Sequence, residues 1–427
     1  MPNPRQKSPR VVITGIGAIT PIGRTPDEVW CAMRDGVSGI TALEGEDFAK
    51  YEGQWQAHVA GQVKDWNPET YIDPREAKRL DRSAQFAMAA VADAVKASGI
   101  DFSTMPPERA GVAFGSGVGG ISTIEDGHSL LLERGPKRLG PLTVPKLMVN
   151  ASAGNISIAY GLRGPATAQA TACASSGNAI GEAVETMRRG RADVMIAGGT
   201  EAAITPLCVG AFQAMKALSG NKEPTKASRP FDASRDGFVL AEGAAAFVLE
   251  TEEHAKARGA TILAELVGWA CSADAYHITA PDEAGRGARQ AMAWALQDAG
   301  LNPADIGYVN AHGTSTPLGD RAEVAAVLDV FGTHARKSAG GTLLMSSTKS
   351  VHGHALGASG AVELIGCIHA LREGLVPPTI NLDNPEEGFD IDLVPNKARP
   401  MPIRYAMNNT FGFGGHNVSL IAGRYEG

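Results

Sequence analysis

Cysteine is scarce in this chain of 427 residues, and the few present do not pair. Cys31, Cys173, Cys208, Cys271 and Cys367 are odd in number, widely scattered and never in a C-x-x-C arrangement. That pattern excludes a disulfide framework and a cysteine-ligated zinc site, and it favours a reducing, cytoplasmic setting. No apolar run approaches the roughly 18 residues that a transmembrane helix needs. Excess charge of either sign is missing too: 39 Lys and Arg against 46 Asp and Glu leave a formal net charge of −7. A broad electrostatic grip on nucleic acid or on an anionic membrane is thereby disfavoured, so an acidic partner has to meet a local basic patch. Aromatic residues make up 6% of the chain, beside 44% hydrophobic and 20% charged residues, the balance of a globular protein without low-complexity segments.

Glycine is what the chain has in excess: 51 residues, about 12%, against roughly 7% in average soluble proteins. Residues 1–10 are basic and polar and precede the apolar VVITGIGAITPIG. Its Gly, Thr and Pro interruptions, and the missing small-x-small cleavage site, predict a first strand and turn rather than a signal peptide. Short β-branched runs recur at 10–17, 110–117, 193–200, 243–250, 307–314, 343–350 and 418–423, with helical periodicity at 83–97, 176–188 and 286–299. Apolar strands alternating with Ala-rich helices predict an α/β fold with a buried, largely parallel sheet covered on both faces. Two stretches look alike in outline, one leading through ATACASSGNAIGEAV to DVMIAGG and one through STKSVHGHALGASGAVELI to NVSLIAG. They predict a duplication into halves spanning 1–260 and 261–427. The Gly-, Pro- and charge-rich residues 219–235 read as an exposed loop.

The chemistry concentrates in four loops. ATACASSG places Cys173 at the start of a helix, where unsatisfied N–H groups and the macrodipole lower a thiol pKa and leave a nucleophile. The other four cysteines read as buried structural thiols. His312 in NAHGTSTPLGD and His354 in STKSVHGHALGASG lie where strands end, the side on which α/β folds expose ligand loops. One thiol and two imidazoles suit thioester chemistry. Lys349 stands five residues before His354, and Glu363 is placed to hold it. NNTFGFGGHN sets Phe411 and Phe413 in a flexible aromatic loop able to gate a pocket or donate N–H groups. GSGVGG matches a dinucleotide-binding glycine pattern, but the acidic strand end that should follow is replaced by the basic SLLLERGPKRLG. His312, His352 and His354 have no carboxylate or cysteine at a recognised ligand spacing, so no metal is expected. Arg75, Lys78, Arg79 and Arg82 in PREAKRLDR form the best basic cluster for an acidic partner.

Taken in order, ATACASSG, SRPFDASRDGFVLAEGA, NAHGTSTPLGD, SSTKSVHGHALGASGAVE and NNTFGFGGHN resemble the β-ketoacyl-[acyl-carrier-protein] synthases, most closely the synthase II type. The likeness runs from VVITGIGAITPIG to the C-terminus. It implies a thiolase-like layered α-β-α-β-α fold of two duplicated halves, a cytoplasmic homodimer, no cofactor, and an acyltransferase of fatty acid elongation. It implies that Cys173 takes the acyl chain from acyl carrier protein, and that His312 and His354 assist decarboxylation of malonyl-ACP and stabilise the resulting carbanion. The backbone N–H groups of Cys173 and Phe413 then form the oxyanion hole, and Lys349 with Glu363 is the supporting pair. Thr314 and Thr316 flank the malonyl arm, Phe413 is the gating aromatic, and Val118 with Phe212 and Phe411 line the substrate pocket. Arg75, Lys78, Arg79 and Lys216 would meet the acidic carrier protein. Two departures from the family pattern, His352 and His416, place extra imidazoles near the site and leave open a specialised enzyme for unusual or very long acyl chains.

Overall fold

The computed structural model describes residues 8–427, so residues 1–7 of the basic N-terminal segment lie outside the described residues. Ten strands form one mixed sheet: β1 (Val11–Ile19), β2 (Ala110–Gly115), β3 (Ala166–Gln169), β4 (Val194–Glu201), β5 (Gly243–Thr251), β6 (Ala264–Ala273), β7 (Ile306–Asn310), β8 (Leu344–Ser346), β9 (Tyr405–Gly412) and β10 (His416–Gly423). Their order is β8-β7-β9-β10-β6-β1-β5-β4-β2-β3. From the middle outward, β1-β5-β4-β2-β3 and β6-β10-β9-β7-β8 are the same permutation. Orientation repeats as well. The first two pairings of each half are antiparallel and the outer two parallel. The halves meet where β1 and β6 pair antiparallel over three residues. Parallel pairing is thus confined to the outer strands of each half, a smaller share than a largely parallel sheet would have.

Five helices build the layers: α1 (Arg82–Ser98), α2 (Ser175–Arg188), α3 (Arg286–Ala299), α4 (Pro317–Phe331) and α5 (Ser359–Glu373). Their ends follow from the local sequence. Asp81 caps α1 by accepting from the Ser83 N–H, while Gly99 and Gly300 close α1 and α3 in the left-handed conformation at φ 64° and 68°. Helices α2 and α5 are sandwiched between the half-sheets, and Ile180, Val184, Leu364 and Ile368 share one central core with strand residues of both halves. Strand alternation divides the apolar load: Ala245, Phe247 and Leu249 of β5 face this core, while Ala244, Ala246 and Val248 face the outer core under α1. Helices α3 and α4 cover the second half in the same way. The result is α-β-α-β-α layering. The central helices cross at glycines: a Cβ on Gly177 or on Gly360 would come within 2.6 Å of the Thr410 side chain.

Three expectations change. The aromatic loop is mostly strand, because residues 408–411 lie in β9 and only 413–415 form the hairpin turn to β10. Residues 219–235 are exposed only in part. Phe231, Asp232 and Arg235 are buried, since Arg235 sits between Asp320 at 3.2 Å and Glu386 at 2.5 Å of the second half. Cys31 and Cys271 are exposed, whereas Cys208 and Cys367 are buried as expected. No helix among the described residues is long and apolar enough to cross a membrane.

Candidate active site

The parallel strands of both halves end on one side of the molecule, and there a cavity of about 390 Å³ collects residues from both. Cys173 enters it from a single 3-10 turn (Ala172–Ala174) between β3 and α2. The turn starts with Ala172 at φ 50°, a conformation costing an L-residue on the order of 1 kcal/mol. It is held by Ser175, whose Oγ accepts from the Thr171 N–H at 2.9 Å and donates to the Ala172 carbonyl at 2.7 Å. Gly412 passes directly over it. A Cβ there would lie 2.6 Å from the Thr171 oxygen and 3.1 Å from the Cys173 nitrogen, so only glycine lets β9 bring Phe413 to the thiol.

His354 Nε2 lies 3.1 Å from Cys173 Sγ, and its Nδ1 is 2.9 Å from Ser359 Oγ. Its backbone is fixed on both sides, by the Val239 carbonyl and the Ala241 N–H. The His312 ring meets the His354 ring edge-on, with centroids 5.4 Å apart. Glu323 of α4 holds the His312 loop by accepting from the His312 and Gly313 N–H groups, both at 2.8 Å. Beneath the pair, Lys349 donates to the His312 carbonyl at 2.6 Å and to the Glu363 carboxylate. Both Lys349 and Glu363 are fully buried.

Burial dominates the electrostatics. It pushes both imidazoles well below their ordinary pKa, and the Lys349 charge adds to the effect, so His312 and His354 are neutral. Neutral rings donate through N–H without carrying charge. His312 Nδ1 has no partner among the described residues, leaving a polar atom beside the cavity for a ligand. Glu323 and Asp320 are raised by burial to about 7 and about 6. Glu363 is also raised by burial, with the Lys349 ammonium pulling against it. The sequence-based expectation for Cys173 is corrected here: burial pushes its thiol up to about 12, outweighing Lys349 and the N–H groups of Phe413 and Cys173 that favour the anion. The resting group is a thiol.

Most of the expected residues converge. Val118, Phe212, Lys216, Thr314, Thr316, Phe411 and Phe413 line the cavity with Cys173, His312 and His354. The two threonine hydroxyls are 3.0 Å apart. Arg75, Lys78 and Arg79 are exposed and do not line it. Neither extra imidazole does either. His352 turns back onto Thr348 Oγ1 at 3.2 Å, is buried and is lowered to about 3, first by desolvation. His416 begins β10 and faces outward. Sequence reasoning missed Glu201, Glu323 and Ser359. Glu201 explains the glycine pattern at 115–120: its buried carboxylate accepts from the Gly117 and Val118 N–H groups and from Ser116 Oγ. The nest that would cradle a phosphate is filled by the chain's own carboxyl group. Its signal was the acidic end of DVMIAGGTE.

Comparison with known proteins points one way. The family described as Beta-ketoacyl synthase, N-terminal domain matches residues 8–255, and Beta-ketoacyl synthase, C-terminal domain matches 263–383. The 3-oxoacyl-[acyl-carrier-protein] synthase 2 of Vibrio harveyi is 49% identical over 413 residues, covering 96% of this chain and 98% of that protein. A Beta-ketoacyl synthase from Burkholderia phymatum superposes with a TM-score of 0.90 at 35% identity, covering 98% of this chain and all of that one. The type II PKS ketosynthase assembly AntDE:AntF, solved with its acyl-carrier protein, gives 0.89 at 31% identity, covering 98% and 100%.

Proposed function

The chain belongs to the β-ketoacyl synthase family and is a condensing acyltransferase of fatty acid elongation, and from that premise we propose how its residues divide the reaction. Cys173 is the nucleophile. Its sulfur attacks the thioester carbonyl of acyl-ACP, the new S–C bond forms, and the carrier's thiol leaves with the proton that Cys173 gives up. The reading rests on one observation above all: a thiol 3.1 Å from the Nε2 of a neutral imidazole, inside a cavity lined by residues of both halves.

Malonyl-ACP then occupies the arm, flanked by Thr314 and Thr316. Its Cα–carboxylate bond breaks, CO2 leaves, and the electron pair enters an enolate whose oxygen accepts hydrogen bonds from His312 and His354. Ser359 donating to His354 Nδ1 leaves a proton on Nε2 for this purpose, and no general base is needed for the bond to break. The carbon attacks the acyl-Cys173 carbonyl, forming a C–C bond. The oxyanion faces the N–H groups of Cys173 and Phe413, a type of contact worth on the order of 100- to 1000-fold per donor. Collapse expels the Cys173 thiolate, which regains a proton, and releases 3-oxoacyl-ACP. Lys349 and Glu363 act through His312, whose carbonyl the ammonium holds.

The acidic carrier protein is the partner, met by Lys216 at the cavity lip and by exposed Arg75 and Lys78. Arg79 contributes less because Glu76 pairs with it at 3.0 Å. A homodimer is the assembly we infer, supported by the open edge of β3 and by exposed Leu132, Val144 and Ile158 in the segment preceding it. With His352 and His416 both outside the cavity, nothing in the site favours a specialised acyl acceptor. The test is intact-mass analysis with acyl-ACP, followed by malonyl-ACP and measurement of CO2 release. Wild type gains one acyl mass and Cys173→Ala gains none; acylation of that variant at another residue would overturn the assignment.

A further inference from the structure

Behind the acyl pocket lies an aromatic flap that none of the catalytic residues requires. Residues 46–56 fold back on themselves around Trp55, whose indole N–H donates to the Phe48 carbonyl at 2.9 Å. Phe48 and Tyr51 both meet the indole edge-on, at centroid distances of 5.3 and 6.0 Å. The flap docks on the helix Pro206–Ala214. Gln213 clamps it there, accepting from the Gln56 N–H at 2.7 Å and donating to the Gln54 carbonyl at 3.3 Å. The indole lies over Gly210, where a Cβ would stand 3.8 Å from the ring.

That helix carries Phe212 into the cavity, where its ring meets Phe238 at 5.4 Å and Phe413 at 6.5 Å. Phe48, Trp55, Phe212, Phe238 and Cys173 consequently belong to one continuous apolar cluster. A wall of a pocket yields as far as the layer behind it allows, because close-packed groups transmit displacement rather than absorb it. Here the layer behind Phe212 is a short helix with a glycine in its middle; Glu125 holds its first turn by accepting from the Leu207 N–H at 3.2 Å, and the indole and the Gln213 clamp stiffen its second half from outside.

We propose that Trp55, acting through the helix Pro206–Ala214 and Phe212, sets the longest acyl chain that Cys173 accepts. The inference rests on the reading of Cys173 as the acylated residue and of Phe212 as a pocket wall. Trp55 is a positioning residue in this scheme; it touches no substrate. Its removal lets the helix retreat under the pressure of a long chain, whereas a short chain never reaches the wall.

The experiment measures kcat/KM for Cys173 acylation with acyl carrier protein loaded with saturated chains of increasing length, for wild type, Trp55→Ala, Gln213→Ala and Trp55→Phe. Trp55→Ala is expected to raise the long-to-short ratio at least tenfold, with short-chain acylation within about twofold of wild type. Gln213→Ala shifts the ratio in the same direction by less, and Trp55→Phe restores the wild-type profile. An unchanged ratio in a folded Trp55→Ala, or an equal loss at every length that Trp55→Phe also rescues, would overturn the proposal and leave the flap a structural support. If Trp55→Ala fails to fold, Gln213→Ala and Trp55→Phe decide by the same ratio. Should wild type itself acquire no acyl group at Cys173, the functional reading fails first, a result distinct from any change in profile.

Discussion

The two halves of the sheet run the same course and then put it to different chemistry. After β3 the chain makes a 3-10 turn beginning at left-handed Ala172 and enters α2 at Ser175. After β8 and a longer detour it makes a 3-10 turn, Leu356–Ala358, beginning at left-handed Leu356 with φ 43°, and enters α5 at Ser359. The second residue of each turn is Cys173 in one half and Gly357 in the other. The second turn has no room for a side chain, since a Cβ on Gly357 would lie 2.4 Å from the Gly117 nitrogen and 2.8 Å from the Glu201 carboxylate. Its N–H donates to that same carboxylate at 3.0 Å. One half therefore supplies the nucleophile, while the other, with its turn blocked, supplies imidazoles from the loops around it.

The serines differ in the same sense. Ser175 holds the backbone of its own turn, whereas Ser359 reaches back to the Nδ1 of His354. A parallel exists in the strand-end loops of β2 and β7, each pinned by a buried carboxylate that accepts two consecutive N–H groups: Glu201 for Gly117 and Val118, Glu323 for His312 and Gly313. Duplication provides the frame twice, and the frame's occupants set the division of labour.

The sharpest way to break this contrast is to remove the one nucleophile. Cys173→Ala is expected to lower condensation by three orders of magnitude or more, as loss of a covalent nucleophile does elsewhere; a steady-state rate within tenfold of wild type would mean that a second residue is acylated. Next come the imidazoles. His312→Ala and His354→Ala should still acquire the acyl mass yet lose condensation by on the order of 100-fold or more, and retained condensation in either removes that residue from the decarboxylating pair.

A smaller effect separates the serines. Ser359→Ala should reduce kcat for condensation about tenfold without lowering the unfolding midpoint, while Ser175→Ala should cost about 1–3 kcal/mol of stability by leaving the Thr171 N–H without its partner. Denaturant unfolding beside the kinetics tells the two outcomes apart. The least effect is chemical. Because burial holds the Cys173 thiol protonated up to about pH 12, its alkylation by iodoacetamide should keep accelerating as pH rises through 9. A plateau near neutrality would instead reveal a thiolate stabilised by the helix end.

Much of this was legible in the residues. α3 was readable to the residue from its apolar spacing and from Gly300, and α1 and α2 to within one residue at each end, because amphipathic periodicity and caps are local signals. β3, β6 and β9 were not. β3 is an edge of four residues with little apolar content, β6 alternates only partly, and the glycines after β9 disguised a buried strand as a loop. Cys173, His312, His354 and Lys349 announced themselves through loops of small residues around a reactive type. Glu323 and Ser359 did not, since a carboxylate in a helix and a serine at its start look like surface and cap until another loop is folded against them.

By itself the sequence determined the chemistry available: one thiol in a small-residue turn, two imidazoles at strand ends, a lysine with a carboxylate within reach along the chain, and glycine wherever backbones approach. Only the tertiary structure decided which of these groups work together and in what state. His354 lies 181 positions from Cys173 yet 3.1 Å from its sulfur, and no local pattern encodes such a distance. Nor does any local pattern reveal the direction in which the thiol's pKa moves. Lys349 and the N–H groups of Phe413 and Cys173 pull it down, but desolvation by both halves pushes it up more strongly, and that desolvation arises only once the sheet has closed around the sulfur.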